Sequence, residues 1–401
     1  MAEPLKISIE PPKMLSTLAE RTLLQDALIR NPQSSAIKLR LARLLNKIDA
    51  HGETIDLLTD GFGDRPRVDA YFALIKALFA QNSRETDLMA QNIAESALAV
   101  AQTDSDLAQS QTELAKVKLR IGERDAAIKL LKQALSLNSG NVSSFKRLAL
   151  EWLRQHQPDR VIALTDELQQ RGVGHSRLWG ARMLALAALG KTEAAQALLN
   201  ASTFILETTV KPPSGWTSLD EFNADLSREI TSNRDLRFER YGTSSAKAWR
   251  VDHPATDESS AVQALLKQIA EIAQKHAGQI AVGDHCWLAA RPAKAELRSW
   301  CVMTESDGYE RWHMHPDGWM SGGYYVEVPD GLADTHDKAG CLAFGLPNGL
   351  IGEAAAEAFG ERLVRPKPGL LTLFPSHAYH RTYPHGMNAR RMCIAFDLCP
   401  I

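Results

Sequence analysis

Between residues 105 and 200 the chain matches itself at an offset of 34 residues. Leu114-Ala115 recurs as Leu148-Ala149, Gly122 aligns with His156 and then with Gly190, and Ala127-Ile128 aligns with Val161-Ile162 and then with Ala195-Gln196. A fixed period of this length restricts the fold severely, because each unit can bury its apolar face only against its neighbours in a stack. Each unit reads as two amphipathic helices around a tight turn. In LAKVKLRIGERDAAIKLLKQALSLNSGN (114–141) apolar residues fall at helical spacing on both sides of Gly122, and Asn138 to Asn141 supply turn residues that end the second helix.

The period, with small residues where helices must approach closely, resembles the tetratricopeptide repeat. The resemblance covers about residues 105 to 200, and RLARLLNKIDAHGETIDLL (40–58) is similar to an earlier, degenerate unit. The unit around His156 lacks the turn glycine, and the aromatic positions of the family are mostly absent. Such stacks present a concave surface to peptides or other subunits. A protein or peptide partner is therefore one expectation; helices that only brace a neighbouring domain or build a homo-oligomer are the other.

A chain of 401 residues is long for one core, so two domains are expected. Lys and Arg total 46 against 48 Asp and Glu, which leaves no basic excess to neutralise phosphates and argues against nucleic acid as a partner. No run is apolar enough for a secretory core or a membrane span, and the five cysteines form neither a CxxC pair nor a regular framework. A cytoplasmic protein with reduced, buried thiols is the expectation.

The alanine-rich helical pattern stops at KPPSGW (211–216), whose prolines and glycine mark a linker. Ser218 to Glu221 then reads as a capping box opening a helix with Leu219, Phe222, Leu226 and Ile230 on one face, and a second helix runs from about Ser260 to Ala277. Six short segments follow with strand character: CWLAARP, AELRSWCVM, GGYYVEVP, CLAFGLP, GLLTLFPS and RMCIAFDL. The expected fold is α+β and multidomain, a helical repeat solenoid over residues 1–203 followed over 204–401 by a β-sandwich or barrel with flanking helices.

Only three of the twelve histidines precede residue 250, so chemistry is expected in the last third. RWHMHPDGWMSGGYYV (311–326) offers two i, i+2 pairs, His313 with His315 and His315 with Asp317, since alternate residues of an extended chain share a face. Pro316 cannot donate to a ladder and Asp317-Gly318 is a turn dipeptide, which favours the first pair. The tail GLLTLFPSHAYHRTYPHGMNARRMCIAFDL adds His377, His380 and His385 on a loop that a barrel can bring beside the first segment, and then a strand opening with paired arginines. Imidazole and carboxylate donors with open coordination positions suit non-heme Fe(II).

HMHPDGWMSGGYYVEVP, PGLLTLFPSHAYHRTYP and RRMCIAFDL, in this order across residues 295 to 401, resemble 2-oxoglutarate/Fe(II)-dependent oxygenases of the double-stranded β-helix (jelly-roll, cupin-like) fold, relatives of the aspartyl/asparaginyl β-hydroxylases. The resemblance implies Fe(II) held by His313, His315 and His380, with His315 where the family more often has a carboxylate and Asp317 as an alternative or neighbouring ligand. It implies 2-oxoglutarate as co-substrate, O2 as oxidant, and Arg391 as the residue gripping the distal carboxylate, a task suited to the planar guanidinium fork. Cys393 falls where many relatives place a serine assisting that carboxylate. Arg390 would point to the opposite face, with Met392, Ile394 and Phe396. Trp312, Trp319, Tyr324 and Tyr325 are read first as core and only second as pocket lining. The implied activity is hydroxylation of a protein or peptide side chain or of a small molecule; a non-catalytic metal-binding module in a repeat adaptor is the alternative, and Arg391 separates the two because an adaptor needs no carboxylate clamp.

Overall fold

The computed structural model describes residues 5–64, 66–280, 285–334 and 337–401. Contacts divide the chain into two compact units, Leu15–Glu151, and Met1–Met14 together with Trp152–Ile401. The division falls inside the helix Val142–Arg154 and not at the 203/204 boundary expected from composition. The reason is that the last helices of the repeat region pack with the sheet: Ser176 Oγ donates to the Gly318 carbonyl at 2.6 Å, and Gln196 Nε2 donates to the Phe359 carbonyl at 2.9 Å.

The first unit is helical, with Thr17–Arg30, Ser35–Lys47, His51–Thr59, Val68–Gln81, Arg84–Val100, Asp104–Arg120 and Arg124–Leu137 joined by short turns. Ser16, Ser34, Ser83 and Thr103 each accept a first-turn backbone N–H with the side-chain oxygen, satisfying a donor the helix itself leaves open. Fully buried Ala42, Ala90, Ala94, Ala115 and Ala127 let successive helices come close.

In the second unit the repeat continues through Pro158–Gln170, Ser176–Ala188 and Thr192–Leu199. The three residues that align at the repeat turn, Gly122, His156 and Gly190, all adopt left-handed backbone, with φ of +89°, +54° and +73°. The aligned small positions Ala127, Val161 and Ala195 are all fully buried. The periodicity thus records one recurring turn geometry, which His156 adopts with a Cβ that glycine lacks.

The remainder is a two-sheet structure with strands β1 (Lys6–Ile9), β2 (Leu206–Thr209), β3 (Arg237–Phe238), β4 (Ser245–Asp252), β5 (Lys294–Glu310), β6 (Met320–Glu327), β7 (Leu342–Phe344), β8 (Arg362–Val364), β9 (Leu370–Pro375), β10 (His380–Thr382) and β11 (Arg390–Pro400). The large sheet has the order β2-β9-β6-β11-β5-β4-β3, with β1 added parallel to β5; the small sheet is β10-β7-β8. Helices Leu219–Thr231 and Ser260–Gln279 cover one face of the large sheet, packing Phe222, Leu226, Leu265 and Ile269 against Leu371, Leu373, Ile394 and Phe396. Gly322 on β6 is dictated by this packing, because a Cβ there would lie 2.4 Å from both the Phe396 ring and the Thr372 carbonyl. The fold is the expected helical repeat followed by a double-stranded β-helix with flanking helices.

One expected strand is a helix. CWLAARP begins as the short helix Cys286–Ala289, with the His285 ring accepting the Trp287 N–H at 3.2 Å. The turn swings Trp287 into the core, where it stacks on Trp319 with ring centroids 4.7 Å apart. All five cysteines are free, and among the described residues no helix is long and apolar enough to cross a membrane.

His156→Gly relieves a side chain from left-handed backbone. Urea denaturation of this variant should show the second unit more stable than wild type by about 0.5–1 kcal/mol.

Candidate metal centre

Beyond β5 the chain stays extended, and His313 and His380 bond to each other reciprocally, each N–H donating to the other's carbonyl at 2.9 Å. Two residues on, the His315 N–H donates to the Ser376 carbonyl at 3.0 Å. This antiparallel pairing sets His313, His315 and His380 together, with ring centroids 4.2 Å apart for His313 and His380, 4.9 Å for His315 and His380, and 5.3 Å for His313 and His315. One ring nitrogen from each lies within 4.8 Å of the others.

Each ring is oriented through its other nitrogen. His313 Nδ1 donates to the Arg311 carbonyl at 2.7 Å, His380 Nδ1 to the Ala378 carbonyl at 3.0 Å, and His315 Nδ1 to the Asp397 carboxylate at 2.5 Å. Protonation at Nδ1 leaves Nε2 with a free lone pair, the arrangement in which histidine binds a metal. Burial holds the His313 ring down at about 4 against the pull of Glu310, and burial, then the two neighbouring histidines, holds His380 well below its ordinary value. These two rings are therefore neutral near pH 7, as ligands must be.

The three histidines line a cavity between the two sheets, walled by Trp300, Val302, Tyr325, Leu342 and Phe374. Alternation along β11 turns Met392, Ile394 and Phe396 into the helix-covered core and Arg391, Cys393 and Ala395 toward this cavity. Arg391 is only 3% exposed. Its Nη2 donates to the Tyr325 hydroxyl at 3.3 Å, its guanidinium lies 4.9 Å from the Tyr325 ring centroid, and its Nε has no partner. Among the described residues no carboxylate lies within ion-pair distance of it, whereas Arg390 donates to both Glu327 oxygens at 2.6 and 2.8 Å. A buried guanidinium without an anion is costly. Cys393 lies beside it, its thiol pushed up to about 11 by burial. Of the aromatics, Tyr325 reaches the cavity, while Trp319 and Tyr324 belong to the core.

Asp317 is not brought to the histidines. It is exposed on the turn after His315 and lies outside the cluster, because the chain leaves its pairing with the Ser376–His380 segment at Pro316. His377 and His385 are also elsewhere: His377 Nε2 bonds the Leu198 carbonyl at 2.8 Å, and the His385 ring accepts the Met387 N–H at 3.3 Å. Two carboxylates that sequence reasoning missed do reach the site. Asp397 bonds His315, and its place six residues after Arg391 on the same strand face is a signal available in the sequence. Glu310, whose oxygens accept from Ser244 and Ser245 at 2.5 Å each, lies 3.8 Å from His313 Nε2. A larger cavity of about 500 Å³ lies on the other face of the small sheet, against Trp312, Arg381 and Tyr383, and contains none of the triad.

Residues 298–397, which include every side chain just described except those of the supporting helices and Ser244 and Ser245, match the protein family described as "Putative 2OG-Fe(II) oxygenase". No curated protein sequence matches the chain. Among solved structures, a prolyl-4-hydroxylase from Pseudomonas putida is 13% identical, with 54% of this chain and 100% of that one covered and a TM-score of 0.36. A Trichoplax adhaerens prolyl hydroxylase, in complex with a hypoxia inducible factor peptide fragment, is 12% identical over 53% and 91% of the two chains, with a TM-score of 0.34. A thermophilic tetratricopeptide repeat protein from Thermus thermophilus is 23% identical over 38% and 82%, with a TM-score of 0.31.

Replacing His313, His315 or His380 by Ala should weaken binding of Co(II), used as a spectroscopic probe, by ~100-fold or more, since each removes one of three ligands. Asp317→Ala should leave the same titration within about twofold, because its side chain does not reach the cluster.

Proposed function

We propose that this protein is a 2-oxoglutarate- and Fe(II)-dependent dioxygenase that hydroxylates its substrate. The observation that carries this reading is one cavity lined both by three converging histidines and by a buried arginine with no anion of its own. Fe(II) bound here would supply activation of O2, coupled to oxidation of 2-oxoglutarate to succinate and CO2, with the second oxygen atom entering a substrate C–H bond.

The chain's own residues supply the rest. His313, His315 and His380 present Nε2 toward one another and leave the remaining positions open to co-substrate and oxygen, as such chemistry requires. Arg391 offers its free Nε edge to the distal carboxylate of 2-oxoglutarate, with Tyr325 holding the guanidinium in place and Cys393 beside it. Gly323 keeps this end of the cavity open, since a Cβ there would approach Cys393 Sγ to 3.0 Å. Trp300, Val302, Leu342 and Phe374 form apolar walls that exclude bulk water from the reacting atoms.

The helical repeats favour a protein or peptide substrate, since a stack of helix pairs offers an extended concave surface; a small molecule reaching the cavity directly is the competing substrate class. The adaptor reading gains nothing from Arg391, whose burial without an anion would be a standing cost in a protein that binds no carboxylate.

Anaerobic titration of the Fe(II)-loaded protein with 2-oxoglutarate should produce a weak visible charge-transfer band, and admission of air should release succinate. Arg391→Ala should raise the Kd for 2-oxoglutarate by ~100-fold, equivalent to about 3 kcal/mol, and Arg391→Lys should recover only part of this because it lacks the fork. Absence of both band and succinate, with no effect of Arg391→Ala, sinks the proposal.

A further inference from the structure

The three histidines are not equivalent. His313 and His380 each tie Nδ1 to the carbonyl of the residue two positions earlier, a local bond available to almost any sequence. His315 instead reaches a carboxylate 82 residues away, Asp397, at 2.5 Å. We propose that Asp397 is a positioning residue which, through His315, delivers to the metal the negative charge that a set of three neutral imidazoles lacks. The inference rests on the metal-site part of the function proposed above.

Asp397 is 8% exposed, and its Oδ1 also accepts from Ser321 Oγ at 2.6 Å. With the Ser321 proton committed there, Ser376 Oγ donates to Ser321 Oγ at 2.6 Å, so the carboxylate ends a chain of buried hydroxyls that all point their protons toward it. Among the described residues no lysine or arginine pairs with it; beside Ser321 its hydrogen-bond partner is the His315 ring. A buried carboxylate held by neutral donors alone is expensive, and a cation at His315 Nε2, communicating through the ring, is the missing counter-charge. The local chain is shaped around this contact. A Cβ at Gly318 would stand 2.5 Å from Ser376 Oγ and 3.2 Å from Asp397 Cγ, so the glycine after Asp317 is needed for close packing as well as for a turn.

Non-heme Fe(II) sites commonly combine two histidines with one carboxylate. Here the carboxylate would act one group further out, with imidazole as the conductor. Glu310 is the rival source of charge, 3.8 Å from His313 Nε2, but it bonds none of the three rings and its oxygens are held by Ser244 and Ser245.

The experiment titrates full-length wild type, Asp397→Asn and Glu310→Gln with Co(II) under anaerobic conditions, following the visible ligand-field bands and the heat of binding. The melting temperature of each metal-free protein is recorded alongside. Asparagine keeps the size and the acceptor oxygen of Asp397 and removes its charge. The expected result is a loss of Co(II) affinity of about 10–100-fold with shifted bands in Asp397→Asn, and less than about threefold in Glu310→Gln, at similar melting temperatures. Unchanged affinity in a folded Asp397→Asn, or a loss confined to Glu310→Gln, overturns the proposal. Should Asp397→Asn fail to fold, the ring nitrogens of His315 in wild type still decide: two-bond ¹H–¹⁵N spectra must show Nδ1 protonated and Nε2 bare, and the opposite tautomer refutes it. Wild-type protein that binds Co(II) as described yet yields no succinate with Fe(II) would end the oxygenase reading and leave this one standing.

Discussion

The paired backbone hydrogen bonds between His313 and His380 are the contact on which the site depends. They join the extended segment just beyond the long strand β5 to the start of the short strand β10, two segments that share no local sequence relation. Once these bonds form, alternation leaves little freedom: His315 must face the same side as His313, and the Ser376 carbonyl is in place to take the His315 N–H. Each ring is then turned by an acceptor on Nδ1. A slip of one residue would rotate all of these side chains out of the cavity together.

Strand β11 is the second constraint, because it serves both faces of the large sheet at once. Met392, Ile394 and Phe396 bind it to the helix-covered core, and that burial holds Arg391, Cys393 and Asp397 at fixed heights along the strand's other face. The energy that keeps a guanidinium and a carboxylate buried without counter-ions comes from the apolar residues between them, at roughly 1.5–3 kcal/mol for each large side chain buried. Core and site are therefore two faces of one strand, and the charged groups can stand where function places them only because their neighbours pack well.

Much of this is legible in the sequence. The 34-residue period corresponds to a recurring left-handed turn at Gly122, His156 and Gly190, a backbone demand that composition alone would hide. Residue alternation separates Arg390 from Arg391, and the structure finds the first paired with Glu327 and the second facing the cavity. The features that escape sequence reasoning have a common cause. Helix Cys286–Ala289 reads as a strand because a short apolar run has no decisive period, and its form is set by the His285 cap and the Trp287–Trp319 stack. Strand β1 joins a parallel partner nearly three hundred residues away, which no local pattern announces.

The sequence by itself determined the two kinds of architecture, the helix boundaries around the repeat turns, and which residue types were available as ligands, because periodicity and capping are properties of neighbouring residues. Tertiary structure decided which carboxylate meets the His315 ring. Asp317, two residues from His315, is turned to solvent, while Asp397, on a distant strand, meets its ring. Sheet register sets that choice, and register depends on how whole strands bury their faces, not on proximity along the chain.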